Sequence, residues 1–335
     1  MNGAILGFNL ACWSVGCFSA PGGQKSLEDL AATKASWLAV VQTRYMDSST
    51  GRMLDKQATD EADIRAEIRR AKSLGLKVAL KPHVDSQDGV YRGRIDPADK
   101  KTWWKEYDDY ILGYARIAQE EKADLFVVGT ELATMANPVQ ARRWKDLIAR
   151  VRGAYRGPLT YAANWYAYPL APFWGELDYI GVDAYFPHVP KTGWRMWMAP
   201  LAAQALASGK PVLFTEFGCS SQKDANLMPW EWKRLGAVDM DVQREYYRTF
   251  LDAFLPERWV AGVLFWGWDI DPDAGGPGSY DMTVQGKPAK DLLERLFDER
   301  RRAPLAPVGL SASARAALVQ RTEAAISRSS SAQMR

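Results

Sequence analysis

Histidine is almost missing from this sequence, with two in 335 residues (His83 and His188), and cysteine is scarce at three (Cys12, Cys17 and Cys219). Neither supply supports a multi-histidine or thiolate metal centre, because such sites draw several ligands of these types at short spacings. No metal and no cofactor is expected. An odd number of thiols leaves one over. No apolar run reaches the roughly 20 residues that span a bilayer. The N-terminus has no basic segment followed by a clean apolar core, and Ala4 to Leu10 already reads as a strand, so no signal peptide is expected in the chain as given. The expected compartment is the cytoplasm by default, or outside the cell if a leader precedes this sequence. Charge of one sign is also lacking: 43 Lys and Arg face 40 Asp and Glu, which calls for no nucleic-acid partner. A glycine-rich phosphate loop after the first apolar run is missing too, which argues against an open dinucleotide-binding sheet.

What is present is a repeated pattern. Short, nearly continuous apolar runs fall at Ala4–Leu10, Trp37–Thr43, Lys77–Lys81, Asp124–Gly129, Leu159–Ala163, Leu177–Asp183, Pro211–Thr215 and Val260–Trp266. Such runs suit parallel strands buried on both faces. Amphipathic stretches intervene. Asp60–Leu74 places Ile64, Ile68 and Ala71 on one helical face and is followed by Gly75, a fitting helix stop. Trp103–Glu121, Pro138–Tyr155 and Val242–Leu255 read the same way. Strand and helix alternating eight times predicts an α/β fold, a single (β/α)8 TIM barrel over residues 1–300. From about Arg300 the composition turns to Ala, Ser and Arg. Residues 301–335 are expected to form an extension, partly helical around Ala314–Ile326 or disordered, with no role as a nucleic-acid arm.

In such a barrel the chemistry sits at the C-terminal ends of the strands. Those ends carry Trp13, His83 and Asp85, Thr130 and Glu131, Asn164 and Trp165, Asp183, Tyr185 and His188, Glu216, and Trp266 and Trp268. Two glutamates, Glu131 and Glu216, directly follow strongly apolar runs, where a carboxylate is costly unless a pocket solvates or pairs it. A structural ion pair explains one such residue readily, but explains two at one barrel mouth poorly. A converging pair suits glycosidic hydrolysis, with one carboxyl protonating the leaving oxygen and the other acting at the anomeric carbon. A separation of about 5 Å corresponds to net retention. The aromatic supply, 14 Trp and 14 Tyr, suits stacking on sugar faces as well as core filling.

The stretches GTEL (Gly129–Leu132) and TEFG (Thr215–Gly218) resemble the acid/base and nucleophile motifs of the clan A glycoside hydrolases, carried on the fourth and seventh strands. DYIGVDAYFP (Asp178–Pro187), FWGWD (Phe265–Asp269) and YDMTVQGKPA (Tyr280–Ala289) agree with the clan. With LKPHV (Leu80–Val84) the set is most similar to family 113, known for β-1,4-mannanases, over roughly residues 4 to 298. The resemblance implies Glu131 as acid/base, Glu216 as nucleophile, Tyr185 as the nucleophile's hydrogen-bond partner, Trp266 as sugar platform and His83 as a contact to a sugar hydroxyl. Most clan members carry Asn immediately before the acid/base. Thr130 stands there instead, which leaves the sugar 2-hydroxyl contact to the threonine hydroxyl or to Asn164.

Trp13, Trp165 and Trp268 join the expected substrate-binding set. Cys12 and Cys219 read as buried free thiols, His188 as a solvated loop residue, Asp183 as structural and Lys81 as an internal ion-pair partner. The expected activity is that of a retaining, metal-free glycoside hydrolase cleaving β-linked polysaccharide, endo-β-1,4-mannanase-like. Hydrolysis of an exopolysaccharide or another β-glycan, or sugar binding without catalysis, are the alternatives. The expected partner is an oligo- or polysaccharide, with no nucleic acid, no membrane, and a monomeric chain.

Overall fold

The computed structural model describes residues 4–57, 60–189, 192–233 and 236–302. Nine strands are formed among the described residues: β1 (Ile5–Cys12), β2 (Trp37–Met46), β3 (Met53–Gln57), β4 (Lys77–Ser86), β5 (Leu125–Thr130), β6 (Leu159–Asn164), β7 (Ile180–Asp183), β8 (Val212–Glu216) and β9 (Val260–Trp268). All but β3 make a parallel wall that closes where β1 pairs with β2 on one side and β9 on the other. Each of the eight apolar runs thus supplies one wall strand, and the fold is a single (β/α)8 barrel. The long helices among the described residues are α1 (Pro21–Ala32), α2 (Glu61–Ser73), α3 (Lys100–Glu120), α4 (Ala141–Ala154), α5 (Arg195–Ser208), α6 (Met240–Phe254) and α7 (Pro288–Arg302).

Local signals account for the boundaries. Asp60 caps α2 by accepting the Asp63 amide at 2.7 Å, and Gly75 follows the helix at φ 83°, a left-handed value that glycine adopts without a Cβ clash. Two departures from strict alternation stand out. Between β6 and β7 the expected helix is replaced by two short 3-10 turns, Tyr168–Leu170 and Trp174–Glu176. Pro169 and Pro172 deny this segment a helical interior, and Phe173 fills the space by stacking on Trp144 at 4.9 Å. The second departure is β3, which pairs antiparallel with the extended end of β2. The turn between them is built by Asp47, whose Oδ1 accepts the amides of Ser49 and Thr50 at 3.0 and 2.8 Å.

α7 continues past residue 300 to Arg302. The rest of the expected extension, with its helix around Ala314–Ile326, lies outside the described residues. Among the described residues no helix is long and apolar enough to cross a membrane.

The core has two bodies. A large shell lies between strands and helices, with Phe8, Trp144, Phe250 and Phe297 among its members. Inside the wall a smaller apolar plug mixes Trp37 and Tyr179 with Ala39, Ala79 and Ala261, a mixture of sizes that fills a layered interior. Along β4 the period of two carries this inward face from Ala79 to Lys81 and His83, so the plug gives way to polar side chains toward the strand ends. Near those ends three strands each gain an extra residue relative to a neighbour. Such bulges occur in β5 against β6 before Thr130, in β8 against β7 before Glu216, and in β9 against β1 before Trp268. Bulges re-aim the side chains that follow them and concentrate at barrel rims.

Candidate active site

Glu131 follows the β5 bulge directly. Its φ of 53° lies in the left-handed region, which a residue with a Cβ occupies only when its surroundings hold it there. Here the Glu131 amide donates to Ala162 O at 2.8 Å, and the next amide, Leu132, donates to the Tyr161 hydroxyl at 2.8 Å. The loop after β4 presses on the same residue. A Cβ at Gly93 would come within 3.1 Å of Glu131 O, so glycine there allows the Arg92–Arg94 turn its close approach.

The Glu131 carboxyl is buried and has three partners. Asn164 donates from Nδ2 to Oε1 at 3.0 Å, and the Tyr91 hydroxyl donates to Oε2 at 3.0 Å. Arg92 Nη1 lies 3.4 Å from Oε2, its guanidinium being held by two bonds to Asp85 at 2.8 and 3.1 Å. Burial raises the Glu131 carboxyl above the ordinary glutamate range, and the charge of Glu216 adds to the rise. Arg92 and the Tyr91 hydrogen bond oppose it. The two carboxyls therefore share one electrostatic environment.

Glu216 ends β8. Tyr185 donates its hydroxyl to Oε2 at 2.7 Å, and the buried ammonium of Lys81 pairs with Oε1. Lys81 also approaches Thr215 O at 3.4 Å and Asp183 Oδ1 at 3.5 Å. The expected internal ion pair of Lys81 is present, and its main partner is the candidate nucleophile. Asp183 is fully buried and accepts from Thr215 Oγ1 at 2.7 Å. Burial, then the Glu216 charge, pushes its carboxyl well above the ordinary range. One cation thus faces two carboxyl groups, each ending a strand, and of the two it is Glu216 that receives the Tyr185 hydroxyl.

His83 lies 3.8 Å from Glu216 Oε1 and stacks on Trp266 with ring centres 6.0 Å apart and planes 7° apart. Burial, with Arg92 and Lys81 nearby, holds the imidazole well below its usual pKa, so it is neutral. Neither ring nitrogen of His83 nor Thr130 Oγ1 has a hydrogen-bond partner among the described residues. Trp266 is half-buried, and Trp13, 45% exposed, tilts against it at 6.3 Å.

Several expectations need correction. Trp268 is 6% exposed, lies 5.1 Å from Phe8 and donates its indole N–H to Ser26 Oγ at 3.0 Å. It belongs to the packing between β9 and α1, because the β9 bulge turns it from the face Trp266 uses. Asn164, considered for a sugar 2-hydroxyl, commits Nδ2 to Glu131 and to Tyr91 OH at 2.7 Å. Cys12 is disulfide-bonded to Cys17, leaving Cys219 as the buried free thiol. His188 is half-buried and stacks on Trp194 at 4.5 Å. Trp165 lies at the end of β6, partly buried by Trp197 and Trp230.

Tyr91 and Arg92 are site residues that the sequence does not reveal. They lie in an aperiodic loop whose YRGR stretch carries no pattern linking it to a glutamate about 40 positions onward.

The family model of Glycoside Hydrolase Family 113 matches residues 8–282. The β-mannanase AaManA of that family from Alicyclobacillus acidocaldarius, solved with ManMIm, is 27% identical. The match covers 89% of this chain and 98% of that one, with a TM-score of 0.83. A second structure, of a family 113 β-1,4-mannanase, is 29% identical over 90% of this chain and 100% of that one, with a TM-score of 0.83. No curated protein matches. With the family model spanning most of its length, the chain belongs to Glycoside Hydrolase Family 113 and is a retaining β-glycoside hydrolase.

Proposed function

We propose that this chain is an endo-acting β-1,4-mannanase working by double displacement, with Glu131 as acid/base and Glu216 as nucleophile. The observation that carries the roles is the contrast between two carboxyls sharing one mouth. Glu131 is buried with its pKa raised, as suits an acid that must hold a proton. Glu216 faces a lysine ammonium and a tyrosine hydroxyl, the partners of an ionised carboxylate. The substrate class rests on the likeness to two β-mannanases across nearly the whole barrel.

In the first step Glu131 gives its proton to the glycosidic oxygen as Glu216 attacks the anomeric carbon. The carbon–oxygen bond to the leaving sugar breaks and an ester to Glu216 forms. Glu131, now ionised, takes a proton from water. That water displaces Glu216 from the same carbon, which restores both carboxyls and yields the retained anomer. Trp266, backed by His83, offers the apolar face on which the reacting sugar stacks, and Trp13 extends it. Tyr185 positions Glu216, while Asn164 and Tyr91 position Glu131.

The test is release of reducing ends from β-mannan set against a panel of other β-glycans, with Glu216→Ala as control. Mannan is expected to be the best substrate and the substitution to abolish its cleavage. Equal activity from Glu216→Ala removes that residue from the nucleophile role, and preference for another glycan overturns the substrate.

A further inference from the structure

A second aromatic group stands at the barrel mouth, next to the partners of Glu131 and on different strands from Trp13 and Trp266. Trp165 directly follows Asn164, the residue that holds Glu131 Oε1. Trp230, from the loop after β8, stacks on Trp165 with ring centres 5.6 Å apart and planes 21° apart, yet remains 43% exposed. Tyr166 meets Trp165 edge-on at 5.5 Å and is 51% exposed. Its hydroxyl interacts with that of Tyr91 and feels the charge of Glu131.

These rings are held rather than loose. Trp197 and Phe186 pack edge-on against Trp165 at 5.4 and 6.4 Å. The loop carrying Trp230 turns through a bond from the Glu231 amide to Met228 O at 2.9 Å. It is pinned by the buried Gln222, whose Nε2 donates to Lys233 O at 2.9 Å. A stacked, half-exposed indole on a tethered loop offers a flat apolar face at little ordering cost.

The leaving sugar departs toward the group that protonates it, so rings beside Glu131 serve that side of the cut, and rings beside Glu216 serve the sugar under attack. We infer that Trp230, seated on Trp165, forms with Tyr166 a subsite for the leaving-group side of the substrate, taking β-linked hexose units beyond the cleaved bond. Aromatic platforms on both sides of the carboxyl pair fit cleavage within a chain. The inference rests on the proposed reading of the substrate as β-1,4-mannan and adds the residues that hold its departing end.

The test compares two substrates on the same enzymes. β-1,4-Mannopentaose places sugars on the leaving side, whereas nitrophenyl β-mannobioside places only an aryl group there. Trp230→Ala is expected to lower kcat/KM for the pentaose about tenfold more than for the aryl substrate, the scale of one lost stacking contact and the area it covers. Trp230→Phe, which keeps a ring, is expected to recover most of that loss, and thermal melting checks that both variants are folded. Equal losses on the two substrates, or none on either, overturn the subsite. Should Trp230→Ala not fold, Tyr166→Ala carries the same comparison: a loss confined to the pentaose supports the subsite, and equal losses, or none on either substrate, overturn it. A wild-type enzyme inactive on both mannosides overturns instead the substrate reading beneath it.

Discussion

Lys81 and Glu216 form an ion pair inside the barrel, with the lysine fully enclosed and the glutamate at the strand end. Removing one side of a buried pair leaves the other charge uncompensated, at a cost of about 3–5 kcal/mol. Lys81→Met keeps the length and apolar stem of the side chain but removes the ammonium that pairs with Glu216 and Asp183. Its melting temperature is expected to fall by about 10 °C and kcat/KM for mannan by at least about a hundredfold. Near wild-type values for both, by calorimetry and steady-state kinetics, contradict this role for the pair.

The raised carboxyl of Glu131 links pH to stability with a definite sign. A carboxyl held higher in the folded than in the unfolded chain binds more protons when folded. Its contribution is full below the ordinary glutamate range and is lost as pH rises through the raised value. Glu131→Gln keeps the neutral form at every pH. It is expected to be inactive on mannan yet more heat-stable than wild type on the alkaline side, with the two melting curves converging in acid. A gain of 1 kcal/mol corresponds to roughly 2–4 °C. Calorimetry from about pH 4 to about pH 9 checks the crossing, and a variant no more stable on the alkaline side refutes the sign.

Trp266 and Trp268 are two residues apart and should respond in opposite ways. Trp268→Ala empties a core position between β9 and α1 and is expected to cost about 3–5 kcal/mol of stability while KM for mannan stays close to wild type. Trp266→Ala is expected to melt closer to wild type and to lose at least about tenfold in kcat/KM. The same loss pattern for both tryptophans would contradict the bulge-directed split.

Trp13 is carried by the short loop that Cys12 and Cys17 close. Reduction, or Cys17→Ser, frees that loop and is expected to raise KM for mannan several-fold with kcat little changed. Stability should fall by about 2 kcal/mol, the scale for so short a loop. An unaltered KM, once thiol titration confirms full reduction, excludes Trp13 from binding through this loop.

The eight apolar runs are legible because parallel strands covered on both faces must be apolar along their length. Glu131 and Glu216 are legible because a carboxylate directly after such a run stands out. Pro169 and Pro172 foreshadow the missing helix between β6 and β7, but the repeating pattern outweighs them. Lys81 reads as an internal ion-pair partner from its strand, yet nothing in its neighbours names Glu216 as the partner. Trp268 misleads because a strict period of two assigns it the same face as Trp266. An added residue in β9, defined only by pairing with β1, breaks that period.

The amino-acid order alone determined which segments become wall strands and that two acidic residues end two of them, since burial and periodicity act locally along the chain. Folding decided where those strand ends aim and what meets them. Bulges exist only as a register between two strands, and contacts such as Lys81 with Glu216, Tyr91 with Glu131 or Trp230 with Trp165 join segments that only barrel closure brings together.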